Sequence, residues 1–327
     1  MSNLMMSSAS APGKLMLLGE HSVVYGHPCL VTTVDLRVRV CVESIPGDRL
    51  VIRTPVLTKA GREDTINLAD LQEMTSFPAE TGFVLAAVRE FQRTFGRVEG
   101  LRIVTEGPEQ SYGLGSSSAV TVATMGALFG LRSLSLDLHR IHELSYAAVL
   151  AVQGKGSGFD VASATFGGTI LFQRTGGVVE KLAVPDLPIV IGYSGRKVST
   201  TNLITRVAEL HQRHPGLVDG MFSLIADLVQ SGRSALLSAN WSLLGEFVNI
   251  NQGLLESLGV STVQLAKPIY AARESGAFGA KLSGAGGGDC MFALVDDRHR
   301  EAVRDAIAAA GAQPLELATN VEGLRLD

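Results

Sequence analysis

The sequence predicts an α+β protein built as two units. Strand-like and helix-like stretches interleave without the regular alternation of a parallel βαβ sheet. The 327 residues suggest two domains at roughly 150 residues each. Hydrophobic residues at 46% against 18% charged supply enough apolar material for a substantial core. Pro185 and Pro188 mark the best boundary, dividing the chain into 1–185 and 186–327.

The elements follow in order. Residues 14–18 and 31–44 are rich in Val, Leu and Thr and read as strands. In the second, Val34, Leu36, Val38, Val40 and Val42 alternate with Asp35, Arg37, Arg39 and Cys41, the pattern of a sheet with one buried face. The turn Pro46-Gly47-Asp48 leads to a partner strand at 50–53. Over 81–95 the period changes: Phe83, Ala87, Phe91 and Phe95 are four apart, which predicts an amphipathic helix ended by Gly96. A short strand at 101–105 leads into a serine-rich loop. Residues 116–131 are apolar nearly all round, so their helix is expected to be buried. Asp137 caps the next helix, which runs to about Gln153. A strand at 169–173 and another at 189–193 flank the boundary. Four helical stretches follow, near 201–213, 217–231, 235–258 and 262–275. Two strand pieces surround a glycine loop within 281–295, and a helix at 300–310 stops at Gly311. Strand-like segments end the chain.

Composition narrows the function. The formal charge is −4, from 28 basic and 32 acidic residues, with no basic stripe to hold a nucleic acid. The opening MSNLMMSSAS has no basic segment followed by a long apolar run, which argues against a signal peptide. No run approaches 18 uninterrupted apolar residues, so no membrane span is expected. Cys29, Cys41 and Cys290 lack metal-ligand spacing and fit a reduced, cytoplasmic setting.

The chemistry concentrates in three glycine clusters. In PEQSYGLGSSSAV (108–120), Gly113 and Gly115 let backbone approach a ligand closely, and three serines open a helix whose first N–H groups are unpaired. That is an anion site, most suited to phosphate; the alternative is a small-residue loop that lets a helix pack closely. It is not a Walker A loop, because no Gly-Lys-Ser/Thr follows the glycines. SAPGKLMLLGEH places Lys14 and Glu20-His21 at opposite ends of one short strand, and GSGFD places a carboxylate, Asp160, after a glycine turn. Phosphoryl transfer needs this set: an ammonium and amide hydrogens for the spreading negative charge, and a carboxylate to orient the acceptor hydroxyl.

These residues resemble the GHMP family of small-molecule kinases, among which mevalonate kinases are the nearest. The motifs APGKLMLLGEHSVVYG (11–26), GLGSSSAV (113–120) and KLSGAGGGDCMFAL (281–294) appear in order, and NINQGLLESLGVST (249–262) resembles the C-terminal half of mevalonate kinases. The likeness runs from about residue 8 to the end. It implies an N-terminal α+β domain with the nucleotide loop and a C-terminal ferredoxin-like α/β sandwich, with the site in the cleft between. It implies ATP and Mg²⁺ as cofactors and the 5-hydroxyl of mevalonate as acceptor. By motif position, Asp160 is the catalytic carboxylate and Lys14 its ion-pair partner. Gly113, Leu114, Gly115, Ser116, Ser117 and Ser118 cradle the ATP phosphates, and Ser117 binds the metal. Glu20, His21 and Thr200 face the acceptor, and Gly284, Ala285 and Gly286 form a third loop at the substrate. Related enzymes often dimerise, which leaves a homodimer open.

Two departures qualify the resemblance. Val149 stands where the family has a second magnesium ligand, a glutamate; Glu143 lies six residues away, about 9 Å too far along a helix. The turn VQGKGSGFDVASATFGG, with Gly-Gly-Gly-Asp at 286–289, resembles phosphomevalonate kinases, which makes 5-phosphomevalonate the rival acceptor. A catalytically silent metabolite sensor is a more distant alternative. Single residues also carry plainer readings. Lys14 can be a strand lysine reaching water, Asp160 a helix cap, Thr200 a helix cap and His21 a core histidine. Glu20 can accept backbone N–H bonds, and Ser116 and Ser118 can cap the helix, leaving Ser117 as the one ligand. Arg196 and Lys197 are either a solvated loop or a grip on a second phosphate. If Lys14 and Asp160 lie about 4 Å apart, their attraction is roughly 4 kcal/mol at an effective dielectric of 20.

Overall fold

The structure, a computed structural model, describes residues 5–108, 112–198 and 200–327. Residues 1–4 of the chain's opening, 109–111 of the serine loop and Ser199 lie outside the described residues. The first unit contains β1 (Met6–Leu18), β2 (Cys29–Ser44), β3 (Arg49–Arg53), α1 (Pro55–Lys59), β4 (Asp64–Asn67), α2 (Gly82–Phe95), β5 (Leu101–Glu106), α3 (Ser116–Leu131), α4 (Leu138–Gln153), α5 (Phe159–Phe166), β6 (Thr169–Gln173) and β7 (Val178–Leu182). The second contains β8 (Ile189–Tyr193), α6 (Thr200–Arg213), α7 (Pro215–Leu237), α8 (Trp241–Ser257), α9 (Val263–Glu274), β9 (Gly279–Leu282), β10 (Cys290–Leu294), α10 (Arg300–Ala309) and β11 (Gln313–Leu315). A last strand, β12 (Arg325–Leu326), follows.

The large sheet runs β12-β1-β2-β5-β3-β4, and β6 pairs with the free part of β2 and carries β7. β2 is long enough to serve two partners: Cys29–Thr32 pair with β6 and Arg39–Ser44 with β5. Its outer half keeps the alternation read from the sequence, with Val38, Val40 and Val42 buried and Arg39 exposed. Helix α3 lies on β1 and β2 with α2 and α4 beside it. Its apolar circumference is explained by that sandwich, since sheet and helices enclose it on all sides.

The small sheet is antiparallel throughout, in the order β11-β8-β10-β9. In chain order this is fourth, first, third and second, the ferredoxin-like arrangement. Between the sheets lies a shared apolar layer: Leu15, Leu17 and Leu18 of β1 meet Ile189, Ile191, Val229, Leu244 and Phe292 of the second unit. The chain's end crosses back. Thr319 and Glu322 bridge to Val34 and Gly167, and β12 pairs with β1. A unit cut at 186–327 therefore does not hold its own C-terminus.

Candidate active site

A cavity of about 230 Å³ opens where the end of β1, the start of α3, the turn before α5, the start of α6 and the loop after β9 converge. Each element arrives for a local reason. β1 is buried on both faces, and the period of two puts Lys14 and Met16 on the cavity side while Leu15 and Leu17 enter the apolar layer. Gly115, at φ 87°, forms the N-cap of α3 without any side-chain cap. The first amides of a 16-residue helix are thus left bare toward the cavity, where Ser116 and Ser117 line the wall. A Cβ on Gly115 would stand 3.0 Å from Lys14 Cγ, so the absent side chain is what lets the lysine stem pass.

Lys14 is buried and donates to Gly113 O at 3.2 Å, with Nζ 5.6 Å from the centre of the Phe159 ring. Asp160 stands in the first turn of α5, entered through Gly158 at φ 89°. Its Oδ1 accepts from Val161 N at 3.1 Å and its Oδ2 from the Ser118 hydroxyl at 2.8 Å. The expected Lys14–Asp160 ion pair is not formed. Both groups line the cavity, but each is held by a neighbour of its own: a carbonyl for the lysine, a hydroxyl and an amide for the aspartate.

Ser118 and Leu114, expected among the phosphate contacts, point elsewhere. One residue on from Ser117 turns a helix by about 100°, which carries Ser118 inward to Asp160 and buries it. The Leu114 side chain joins the inter-sheet layer and its carbonyl accepts from Lys14 N at 2.8 Å. Gly113, Gly115, Ser116 and Ser117 remain on the wall.

Glu20, His21, Thr200, Gly284 and Ala285 also line the cavity, and a Cβ on Gly284 would stand 3.8 Å from Lys14 Nζ. Glu20 is fully buried, paired with Lys281 and accepting from Asn251 Nδ2 at 3.0 Å, so both its oxygens are engaged. His21 adopts φ 60°, left-handed for a residue with a side chain, and its Nε2 lies 3.0 Å from Ala285 O. Burial lowers its pKa below the usual 6.5, against the opposing pull of the Ala285 carbonyl and Glu20, so near neutrality it is uncharged. Thr200, exposed, opens α6 beside Thr201 and Ile204. Gly286 is set back: a Cβ there would meet Val260 O at 2.3 Å, so it seats the loop on the chain before α9.

Lys155, Ser157 and Asp289 are polar residues of the cavity that the sequence does not single out as site residues. Lys155 and Ser157 belong to the same glycine turn as Asp160, and the turn itself was the available signal. Asp289, noted only as part of Gly-Gly-Gly-Asp, has φ 57°; its Oδ1 is buried without a partner, and burial raises its pKa against the fields of Lys14 and Lys197. Val149 does line the cavity, buried and apolar, where the resemblance has an acid. Among the described residues no three His, Cys, Asp or Glu side chains group as a metal site.

Family models agree with this geometry. The GHMP kinases N terminal domain matches residues 82–168 and the GHMP kinases C terminal domain matches 233–313. A mevalonate kinase of Thermococcus sibiricus is 38% identical over 98% of both chains. Among solved structures, the mevalonate kinase of Methanococcus jannaschii superposes with TM-score 0.80 at 24% identity, covering 97% of this chain and 98% of its own. A phosphomevalonate kinase of Streptococcus pneumoniae reaches 0.80 at 20% identity, covering 95% and 99%; at such identities the likeness speaks for fold. With two matched domains in their order and one relative similar from end to end, the chain belongs to the GHMP kinase family.

Proposed function

We propose that the protein transfers the γ-phosphoryl group of ATP to the 5-hydroxyl of mevalonate. The observation that carries this is the convergence of Lys14, Asp160 and the uncapped start of α3 on one cavity that neutral His21 also lines. The full-length similarity to a mevalonate kinase supports the choice of acceptor. The triphosphate lies along Gly113, Gly115 and the α3 amides. A second cavity shares Ser116 and Ser117 with the first and is walled by Pro55, Val56, Phe83 and Val120. It supplies an apolar slot for the purine.

The acceptor oxygen attacks the γ-phosphorus as the bond to the β,γ-bridging oxygen breaks, and ADP departs. The hydroxyl proton passes to Asp160. Ser118 and the Val161 amide hold that carboxylate in place, and each of its oxygens keeps a lone pair for the acceptor. Lys14 retains ammonium hydrogens beyond the one given to Gly113 O, and these meet the charge that spreads over the transferred group. Magnesium fits the donors present: Ser117 and Asp160 offer hard oxygens, and the ion tolerates phosphate and water for the rest, as the apolar Val149 requires. It would neutralise phosphate charge. Three free cysteines among the described residues, two of them buried, accord with a cytoplasmic setting.

ADP release with each acceptor tests the reading. Mevalonate should be preferred, and a kcat/KM for 5-phosphomevalonate more than about tenfold higher would reverse the assignment, a gap of roughly 1.4 kcal/mol. Lys155 and Lys197 at the cavity are what would grip a second phosphate in that case.

A further inference from the structure

β9 and the loop after it run beside the end of β1, and alternate residues join the two. Lys281 gives its ammonium to Glu20 Oε1. The Ser283 hydroxyl accepts from Met16 N at 2.9 Å and donates to Met16 O at 3.0 Å. Ala285 O meets His21 Nε2 at 3.0 Å. The strand ends at Leu282 and the chain bends at Gly284, φ 89°, and these contacts at 281, 283 and 285 form a row of ties from the small sheet to Met16 of β1 and to Glu20 and His21 of the turn after it.

Lys281 and Glu20 are both fully shielded from solvent. The ammonium also donates to Leu282 O and lies 5.3 Å from the centre of the Phe292 ring, while Asn251 of α8 takes the other Glu20 oxygen. Burial draws the Lys281 pKa down and the Glu20 charge opposes it. A buried ion pair is a weak source of net stability, because desolvation offsets the attraction. Its geometric consequence here is specific. The residue after Glu20 is His21, whose left-handed backbone persists only if the surroundings over-determine it.

We propose that Lys281 is a positioning residue: through Glu20 it locks the turn that presents His21 to the acceptor end of the cavity. The inference rests on the reading of that end as the acceptor site. Glu20 then acts through this lock and does not itself touch the acceptor. The α3 amides take no part in these contacts, while Gly284 of the same loop stands beside Lys14, a Cβ there lying 3.8 Å from its Nζ.

Steady-state kinetics of the full chain with Lys281→Met, and with Lys281→Met combined with Glu20→Gln, test this. The single variant strands a buried carboxylate and lowers Tm. The double variant removes both charges and recovers Tm, yet the acceptor KM stays up by about tenfold or more while the ATP KM stays within about twofold, as expected when only one end of the site is misplaced. Recovery of the acceptor KM together with Tm, or an ATP KM that climbs in step with it, overturns the proposal. Should the double variant not fold, Ser283→Ala cuts the same row and leaves the ion pair intact. An acceptor KM raised about threefold or more supports the lock, and an unchanged one refutes it. Wild type that turns over 5-phosphomevalonate in place of mevalonate would overturn the acceptor assignment alone, and the same ratios would then be read with that acceptor.

Discussion

The role proposed for Asp160 depends on neighbours that sequence position alone does not reveal. Ser118 donates to one carboxylate oxygen, and this bond sets the direction in which the other lone pairs face. Ser118→Ala should lower kcat about tenfold with the ATP KM nearly unchanged, whereas Asp160→Asn should lower kcat by roughly 10²–10⁴. A Ser118→Ala variant at wild-type kcat would show that the hydroxyl serves packing only. Two histidines give the fold a pH dependence of definite sign. His21 and His142 are both lowered from 6.5, chiefly by burial. In each, the unfolded chain binds the proton more readily than the folded one. Stability is therefore complete above the unfolded value and is lost as pH falls through it toward the folded values. His142 stacks on Tyr146 and lies 5.5 Å from the Phe166 ring, with Gly158 and Asp160 of the glycine turn also acting on it. Denaturant melts from pH 7.5 down to 5.5 should show falling stability in wild type and a shallower fall in His142→Phe. An equal slope would mean that His142 already titrates normally.

At the scale of elements, the serine-rich loop and the third glycine loop press on each other. A Cβ on Gly113 would stand 2.3 Å from Asp289 Cγ, and Gly113 itself holds φ 77°. Gly113→Ala meets two costs: a left-handed residue with a side chain, about 1–2 kcal/mol, and displacement of the Asp289 carboxylate. The ATP KM should rise, and Gly113→Ala with Asp289→Gly should recover the part due to the clash but not the part due to φ. A double variant no better than the single would show that the backbone strain alone decides. Much at this scale was legible in the sequence. Helix α3 has the bounds its apolar run implied, Asp137 caps α4 by accepting from His139 and Arg140 N, and the alternation of β2 survives in its burial. What was not legible depends on distant partners. The first half of β1, MSSASAPG, has small residues with little strand preference and is extended because β2 and β12 flank it. α1 and β4 are too short to show a period, although Thr54 and Pro55 together are a helix-start signal. In the site, the glycine turns and their polar residues were visible one by one. That Asp160 answers to Ser118 and not to Lys14, and Glu20 to Lys281 and Asn251, follows from packing between segments 42, 261 and 231 residues apart.

The molecule as a whole is fastened by its last residues. After β11 the chain leaves the small sheet and returns to the large one, where Arg37 donates to Glu322 O, Gly323 O and Ser10 O, each at 2.8 Å. Leu324 is buried against Gly126 of α3, where a Cβ would stand 2.7 Å from Leu324 Cδ1. The glycine is thus a socket for the tail. With the apolar layer between the sheets, this return path means that neither unit can unfold without exposing surface of the other. The protein should therefore unfold in a single calorimetric transition. Leu324→Ala should lower stability by about 2–5 kcal/mol, because the helix and sheet around the socket cannot collapse to fill it. Adding Gly126→Ala fills part of the void and removes a helix-interior glycine, which alone contributes about 0.5–1 kcal/mol. The double variant should therefore be more stable than Leu324→Ala, while Gly126→Ala in the presence of Leu324 should be destabilising. If instead Leu324→Ala leaves the transition single and unshifted, the tail is a passive end, and the coupling of the two units resides wholly in the layer formed by Leu15, Leu17, Ile191 and Phe292.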